Sequence, residues 1–296
     1  MVGSDSARRA TDAPQPQDLV LTMLGAHLRR PGETVWSGGM VRLLGSFGFT
    51  TGSARAALSR LVLRDLLRRT REARFVHYAP TGRAEQLLAD GDRRIFSFGR
   101  TGPTPELWTI VWHTIPEDQR VARSRLVSRL RFLGFGSLQD ATWVAASDRE
   151  QEVSRVLTEL GMAEYASVFV GRLSRETELT ALIAQAWRLN DVAARYRDFL
   201  AEYGTLGGRT GPRTLDDEHA FIARTSMLHR FRGFPFLDPE LPRELDPVRE
   251  LRGQVVATFD AVYRSLELGA GRHFHELTRS GPPVGRNQQP AVRRLE

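Results

Sequence analysis

The sequence contains no cysteine, which removes disulfides, thiolate metal sites and cysteine nucleophiles. It contains no lysine either. All 42 basic residues are therefore arginine, and neither a P-loop nor a Schiff-base lysine is available. No apolar run approaches the roughly 18 residues that a membrane-spanning helix takes. Met1 to Asp18 is polar, without the apolar stretch of a secretory signal, so a cytoplasmic location is expected. No nucleophile elbow, dinucleotide fingerprint or paired acid–base motif occurs. The 7 histidines are scattered. Their one cluster, His273-Phe274-His275-Glu276, points its two imidazoles in different directions on a helix and makes no shared metal site. No catalytic residue, metal or cofactor is expected.

What the sequence does hold is an uneven charge. Residues 1–100 carry 16 Arg against 9 acidic residues, a balance of +7, and residues 101–296 carry 26 of each. A general preference for Arg over Lys explains the residue choice but not the asymmetry. A basic segment joined to neutral ones points to a polyanion partner at one end. The length of 296 residues and hydrophobic fraction of 41% fit two or three domains with real cores.

Residues 1–17 and 280–296 are polar and read as a disordered arm and tail. Gly99 to Pro105 reads as a linker within 99–106, and a softer boundary falls near Ser174 to Thr177. The expected organisation is an N-terminal block over 18–98, a middle block over 107–174 and a helical block over 175–279.

In the first block, Asp18 is expected to cap a helix over Leu19 to Leu28. A second helix follows from Ser37 to Ser46, and Gly48 turns into a third, capped by Thr50 or Thr51 and reaching Asp65. At about 100° per residue the third helix separates cleanly. Ala54, Leu58, Leu61 and Val62 fall on one side. Gly52, Ala56, Ser59 and Arg60 fall on the other, with Arg55 on the flank. Small and hydroxyl side chains beside long arginines suit a helix that enters a groove, where Arg forks to guanine or to phosphate. An ordinary amphipathic surface helix shows the same separation, and the residues C-terminal to this helix distinguish the two. Leu66 to Arg71 and Phe75 to Ala79 read as strands turning at Glu72-Ala73-Arg74, and Thr81 caps a further helix, Gly82 to Ala89. Three helices and a basic hairpin make a winged helix-turn-helix. Residues 50–78 hold 7 Arg and 2 acids. Thr51, Ser53, Arg55, Ser59 and Arg60 are the expected groove-facing residues, and Arg68, Arg71, Arg74 and His77 the expected backbone contacts.

The middle block reads β-α-β-β-α-β, the ferredoxin-like order. Its elements are a strand at Trp108 to Thr114, a helix from Pro116 to Leu133 with Val121 on its apolar side, strands at Gly136 to Leu138 and Ala141 to Ala146, a helix from Asp148 to Leu160, and a strand at Tyr165 to Val170. Such a fold hosts nucleases as well as scaffolds. A metal-dependent nuclease is the alternative, with Glu117 and Asp118 its nearest acids, although both suit a helix start. A winged helix that binds only protein is a third possibility. The last block reads as helices over Glu178 to Leu189, Val192 to Tyr203, Asp217 to Phe231, Gly253 to Leu266 and Arg272 to Thr278, with a glycine loop at Gly204 to Pro212.

Three features make the chain resemble the PaaX family of bacterial transcriptional regulators. The first is Val35-Trp36-Ser37 through Leu43-Leu44 and Gly48-Phe49, followed by Arg55 and Ser59-Arg60-Leu61-Val62. The second is the middle block opening on Trp108-Thr109-Ile110-Val111, which in this family looks like a Cas2-type domain. The third is Arg230-Phe231-Arg232 with Leu237-Asp238-Pro239-Glu240-Leu241-Pro242. The resemblance spans about residues 19–270. One departure is that Val248-Arg249 stands after Leu245-Asp246-Pro247, where the family has a tryptophan-glycine element. The resemblance implies an α+β regulator that represses an aromatic or acyl-CoA catabolic operon, such as that for phenylacetate, binds double-stranded operator DNA as a homodimer and is released by an aryl- or acyl-CoA thioester. Trp187, Tyr196, Arg224, His229 and Arg230 are the expected effector contacts, as apolar and cationic groups such a ligand needs.

Overall fold

The computed structural model describes residues 14–28, 30–100, 107–174, 176–206 and 215–279. The expected arm up to residue 13, linker positions 101–106, loop positions 207–214 and the tail 280–296 lie outside these. The protein is a mixed α+β structure with two antiparallel sheets. Among the described residues no helix is long and apolar enough to cross a membrane.

The chain forms two compact units that do not follow one another in sequence. The first takes Met1–Ala89, Leu215–Thr225 and Glu267–Glu296, and the second takes Asp90–Thr214 and Ser226–Leu266. The first unit opens with α1 (Pro16–His27), which starts two residues before the expected cap. Pro16 is suited to a first helical position, where its missing N–H costs nothing, and Asp18 falls in the first turn, where its charge favours the helix dipole. A two-residue strand, β1 (Val35–Trp36), then leads into α2 (Ser37–Gly45). After Gly48 (φ 83°) comes α3 (Thr51–Leu63), then β2 (Leu67–Glu72), β3 (Phe75–Pro80) and α4 (Gly82–Ser97), whose residues from Asp90 on are counted in the second unit. The three strands pair in the order β1-β3-β2. Leu19, Val20, Met23, Met40, Leu43, Leu58, Leu61 and Leu67 fill the core beneath them. Two segments from the far end of the chain complete that core. They are the start of α9 (Asp217–Phe231), through Phe221, and α11 (Glu267–Arg279), through Ala270 and Phe274. At Gly39 of α2 the two backbones meet. A Cβ there would overlap the Leu277 carbonyl oxygen and stand 2.7 Å from the Leu277 carbonyl carbon.

The second unit holds β4 (Trp108–His113), α5 (Arg120–Phe132), β5 (Gly136–Gln139), β6 (Thr142–Ala145), α6 (Glu150–Leu160) and β7 (Ala166–Gly171). The sheet order is β5-β6-β4-β7, all antiparallel, which with two intervening helices is the ferredoxin-like topology. Val111 and Trp143 face α5 and α6 in a core with Leu126, Leu130, Val153 and Leu157. Val121, expected on the apolar side of α5, is 67% exposed. The segment begins as a 3-10 turn over Glu117–Gln119, which shifts the phase before the α-helix starts. On the open face of the sheet Trp112 and Phe169 are exposed.

Helices α8 (Leu189–Tyr203) and α10 (Arg249–Ser265) pack with the end of α9 on an aromatic core, while α7 (Leu179–Ala186) lies against β5, where a Cβ on Gly136 would meet Ala186. Phe231 stacks on Phe259 at 3.8 Å, with Phe199 and Phe234 alongside. The proline-punctuated connection after α9 is pinned from within. The Arg252 guanidinium forks to Asp238 (2.8 and 2.6 Å) and reaches Asp246 (2.7 Å), while the Tyr196 hydroxyl donates to Asp238. The carboxylates of Asp238 and Asp246 are fully buried. Paired buried charges of this kind fix a conformation, and removal of one partner strands the other.

Candidate nucleic-acid interface

The Thr50 hydroxyl caps α3 by accepting the Ser53 N–H at 3.2 Å. Ala54, Ala57, Leu58 and Leu61 anchor the helix in the core. Thr51, Gly52, Arg55, Ala56, Ser59 and Arg60 are exposed, and Ser53 is half-buried. The outward side therefore carries the small and hydroxyl residues with two arginines, and neither Arg55 nor Arg60 forms an ion pair among the described residues. Three-residue spacing of small side chains lets a backbone approach closely, and the arginines reach past them.

The hairpin pairs Leu67 with Pro80, Arg69 with Tyr78, Thr70 with His77 and Arg71 with Val76. Its two-residue turn places Ala73 at φ 51°, the positive value that a tight primed hairpin needs at its first central position. The Arg71 Nε donates to the Ala73 carbonyl at 3.1 Å, which draws that guanidinium toward the tip. Arg74 lies over the Phe75 ring at 5.1 Å. Arg68, Arg69, Arg71 and Arg74 are all exposed. His77 is half-buried beside Trp36, its partner in β1, and its Nδ1 is shielded and without a hydrogen bond among the described residues. Arg69 was no part of the expected set, although the period-2 alternation of a strand separates it from Arg68. Outside the expected set too, Arg42 of α2 lies 5.6 Å over the Trp36 ring.

The expected effector residues fall in both units. Arg224 is buried in the first unit and the other four belong to the second. Tyr196 is committed to Asp238, and Arg230 to an ion pair with Glu202. Burial pushes the Tyr196 hydroxyl far above its usual pKa, with the Asp238 charge adding to it. His229 is half-buried. Trp187 borders a cavity of about 690 Å³ between the α7–α8 junction and the Arg243–Pro247 segment. Its indole N–H donates to the Gly134 carbonyl at 3.2 Å. Arg188 and Arg243 line the same cavity with Asp191, Glu244 and Asp246. Glu117 and Asp118 are exposed on the short turn before α5, and among the described residues no three His, Asp or Glu side chains converge as a metal site.

A cationic helix-and-hairpin surface on an α+β protein with a ferredoxin-like sheet is the class these features define. Models of three successive segments match it: a PaaX-like protein over residues 15–84, the PaaX central Cas2-like domain over 103–183 and the PaaX-like C-terminal domain over 187–276. The chain belongs to the PaaX family of regulators. It is 25% identical over 237 residues to the transcriptional repressor PaaX of Escherichia coli (strain K12), covering 77% of this chain and 73% of that one. A solved structure, the uncharacterized protein Rv0674 from Mycobacterium tuberculosis, shares the fold. It matches with a TM-score of 0.52 and 19% identity, across 90% of this chain and 99% of the other.

Proposed function

We propose that this protein is a sequence-specific transcriptional repressor whose first unit is a winged helix-turn-helix that binds double-stranded operator DNA. The observation that carries this is the outward placement of Ser59 and Arg60 on a helix whose other side is wholly core. Thr51, Ser53, Arg55, Ser59 and Arg60 enter the major groove, and arginines of the hairpin hold the flanking phosphates. The protein acts as a homodimer, whose two-fold symmetry calls for half-sites one helical turn, or a multiple, apart. Trp112 and Phe169 offer apolar surface of the kind a self-complementary contact covers. Release follows binding of an aryl- or acyl-CoA thioester by the second unit, and family membership supports that effector class.

The test measures affinity for operator and scrambled duplexes. Arg60→Ala should cost about 1–3 kcal/mol on the operator and little on the scrambled duplex. An equal loss on both would refute the groove-reading role. Thermal shift against acyl-CoA thioesters tests the effector, since a ligand of the folded state raises apparent stability. No shift with any thioester would remove that part of the reading.

A further inference from the structure

Strand pairing divides the hairpin arginines into two sets. In an antiparallel sheet, directly paired residues share a face and neighbours along a strand alternate. Leu67, Arg69 and Arg71 therefore stand on the face that carries Val35, Val76, Tyr78 and Pro80. Arg68 and Thr70 stand on the other, with Trp36, His77 and Ala79. The first face is the one that packs on the helices, because Val35, Leu67 and Tyr78 share one core with Ala54, Leu58 and Leu61 of α3. Beyond the edge of that core, Arg69 and Arg71 continue on the side of the reading helix, exposed opposite buried Tyr78 and half-buried Val76.

We infer that Arg69, together with Arg71, grips the phosphodiester backbone of duplex DNA, and that Arg68 and His77, on the opposite face, take no part. The inference rests on the DNA-binding reading and sharpens its contact set. A duplex held against the outward side of α3 meets side chains on α3's side of the sheet. Arg68 and Arg69 are adjacent in sequence, both exposed, and neither side chain has a hydrogen bond or ion pair among the described residues. Replacing either removes the same charge and no internal contact, so orientation is the difference left between them.

The experiment compares full-length wild type, Arg68→Ala and Arg69→Ala by fluorescence anisotropy on operator and scrambled duplexes across a salt series. Urea midpoints check that both variants fold. Each phosphate contact contributes about 0.9 to the slope of log affinity against log salt. Arg69→Ala should flatten that slope by about one contact on both duplexes, and Arg68→Ala should superimpose on wild type. A loss in Arg68→Ala equal to that in Arg69→Ala, or an unchanged slope in Arg69→Ala beside a steep wild-type slope, overturns the inference and leaves the DNA-binding reading standing. A wild-type affinity insensitive to salt overturns the reading, and the inference with it.

Discussion

Alanine at Gly39 tests whether the helix Glu267–Arg279 is seated on α2 of the first unit. The new methyl would overlap the Leu277 carbonyl oxygen and come within 2.7 Å of the Leu277 carbonyl carbon and 3.0 Å of the Thr278 Cα. All three atoms are backbone of α11, so no side chain can rotate away. Ordinary contact requires the two helices to part by about an ångström, and overpacking of this kind costs about 1–3 kcal/mol. The exchange of Gly for Ala inside a helix returns about 0.5–1 kcal/mol. A net loss of about 1–2 kcal/mol is therefore expected. Gly45→Ala, in the same helix with nothing within 4 Å of its Cβ, is the control and should be neutral or slightly stabilising. Urea unfolding gives the free energies, and hydrogen exchange locates the change. Peptides from α2 and α11 should exchange faster together, while those of β4 to β7 hold. A Gly39→Ala protein as stable as the Gly45→Ala control would show that α11 does not rest on α2.

Three further substitutions probe the second unit. Asp238→Asn should cost about 3–5 kcal/mol in urea unfolding, because it leaves the Arg252 guanidinium buried without its bidentate partner. Asp246→Asn should cost less: burial, partly offset by Arg252, lifts the Asp246 pKa, so its ionised form is already disfavoured in the fold. Equal costs would contradict that ranking. His113 is buried, neither ring nitrogen has a hydrogen-bond partner among the described residues, and its pKa is lowered first by burial and then by the Arg123 charge. The folded state thus prefers the neutral ring, and that preference stabilises above the unfolded value of about 6.5 and is lost as pH falls through it. His113→Leu should flatten the fall in urea midpoint between about pH 7.5 and 5.5; a curve parallel to wild type would rule the group out as its source.

Residues whose neighbours lie close in sequence were legible from the sequence itself. The apolar spacing of Asp217–Phe231 marks a helix with those bounds, and the two faces of α3 follow from Ala54, Leu58 and Leu61. Where tertiary contact overrides local preference, the reading falls short. Asp90-Gly91-Asp92 looks like a stop, yet α4 continues to Ser97. Gly269 and Gly271 look like breakers, yet α11 starts at Glu267, and Gly269 packs against Asp217 and Ala220. The strand β1 is too short to show a period and exists because β3 pairs with it. Arg252 carries no local signal of its role, since its partners come from a connection 14 and 6 residues upstream. On the hairpin, the alternation that separates Arg68 from Arg69 was present in the sequence, but which face meets the helices depends on the register and the core.

The first unit draws on both ends of the chain, and this bears on how the protein is made. A ribosome delivers Thr51–Leu63 long before it delivers Glu267–Arg279, so the first unit gains its last supporting helix only once α11 has been made. A nascent chain halted before Glu267, or one clipped there by a protease, carries every residue proposed to touch DNA and lacks the backbone that braces them. The core of the first unit is therefore complete only in a molecule synthesised through α11, which supplies Ala270 and Phe274.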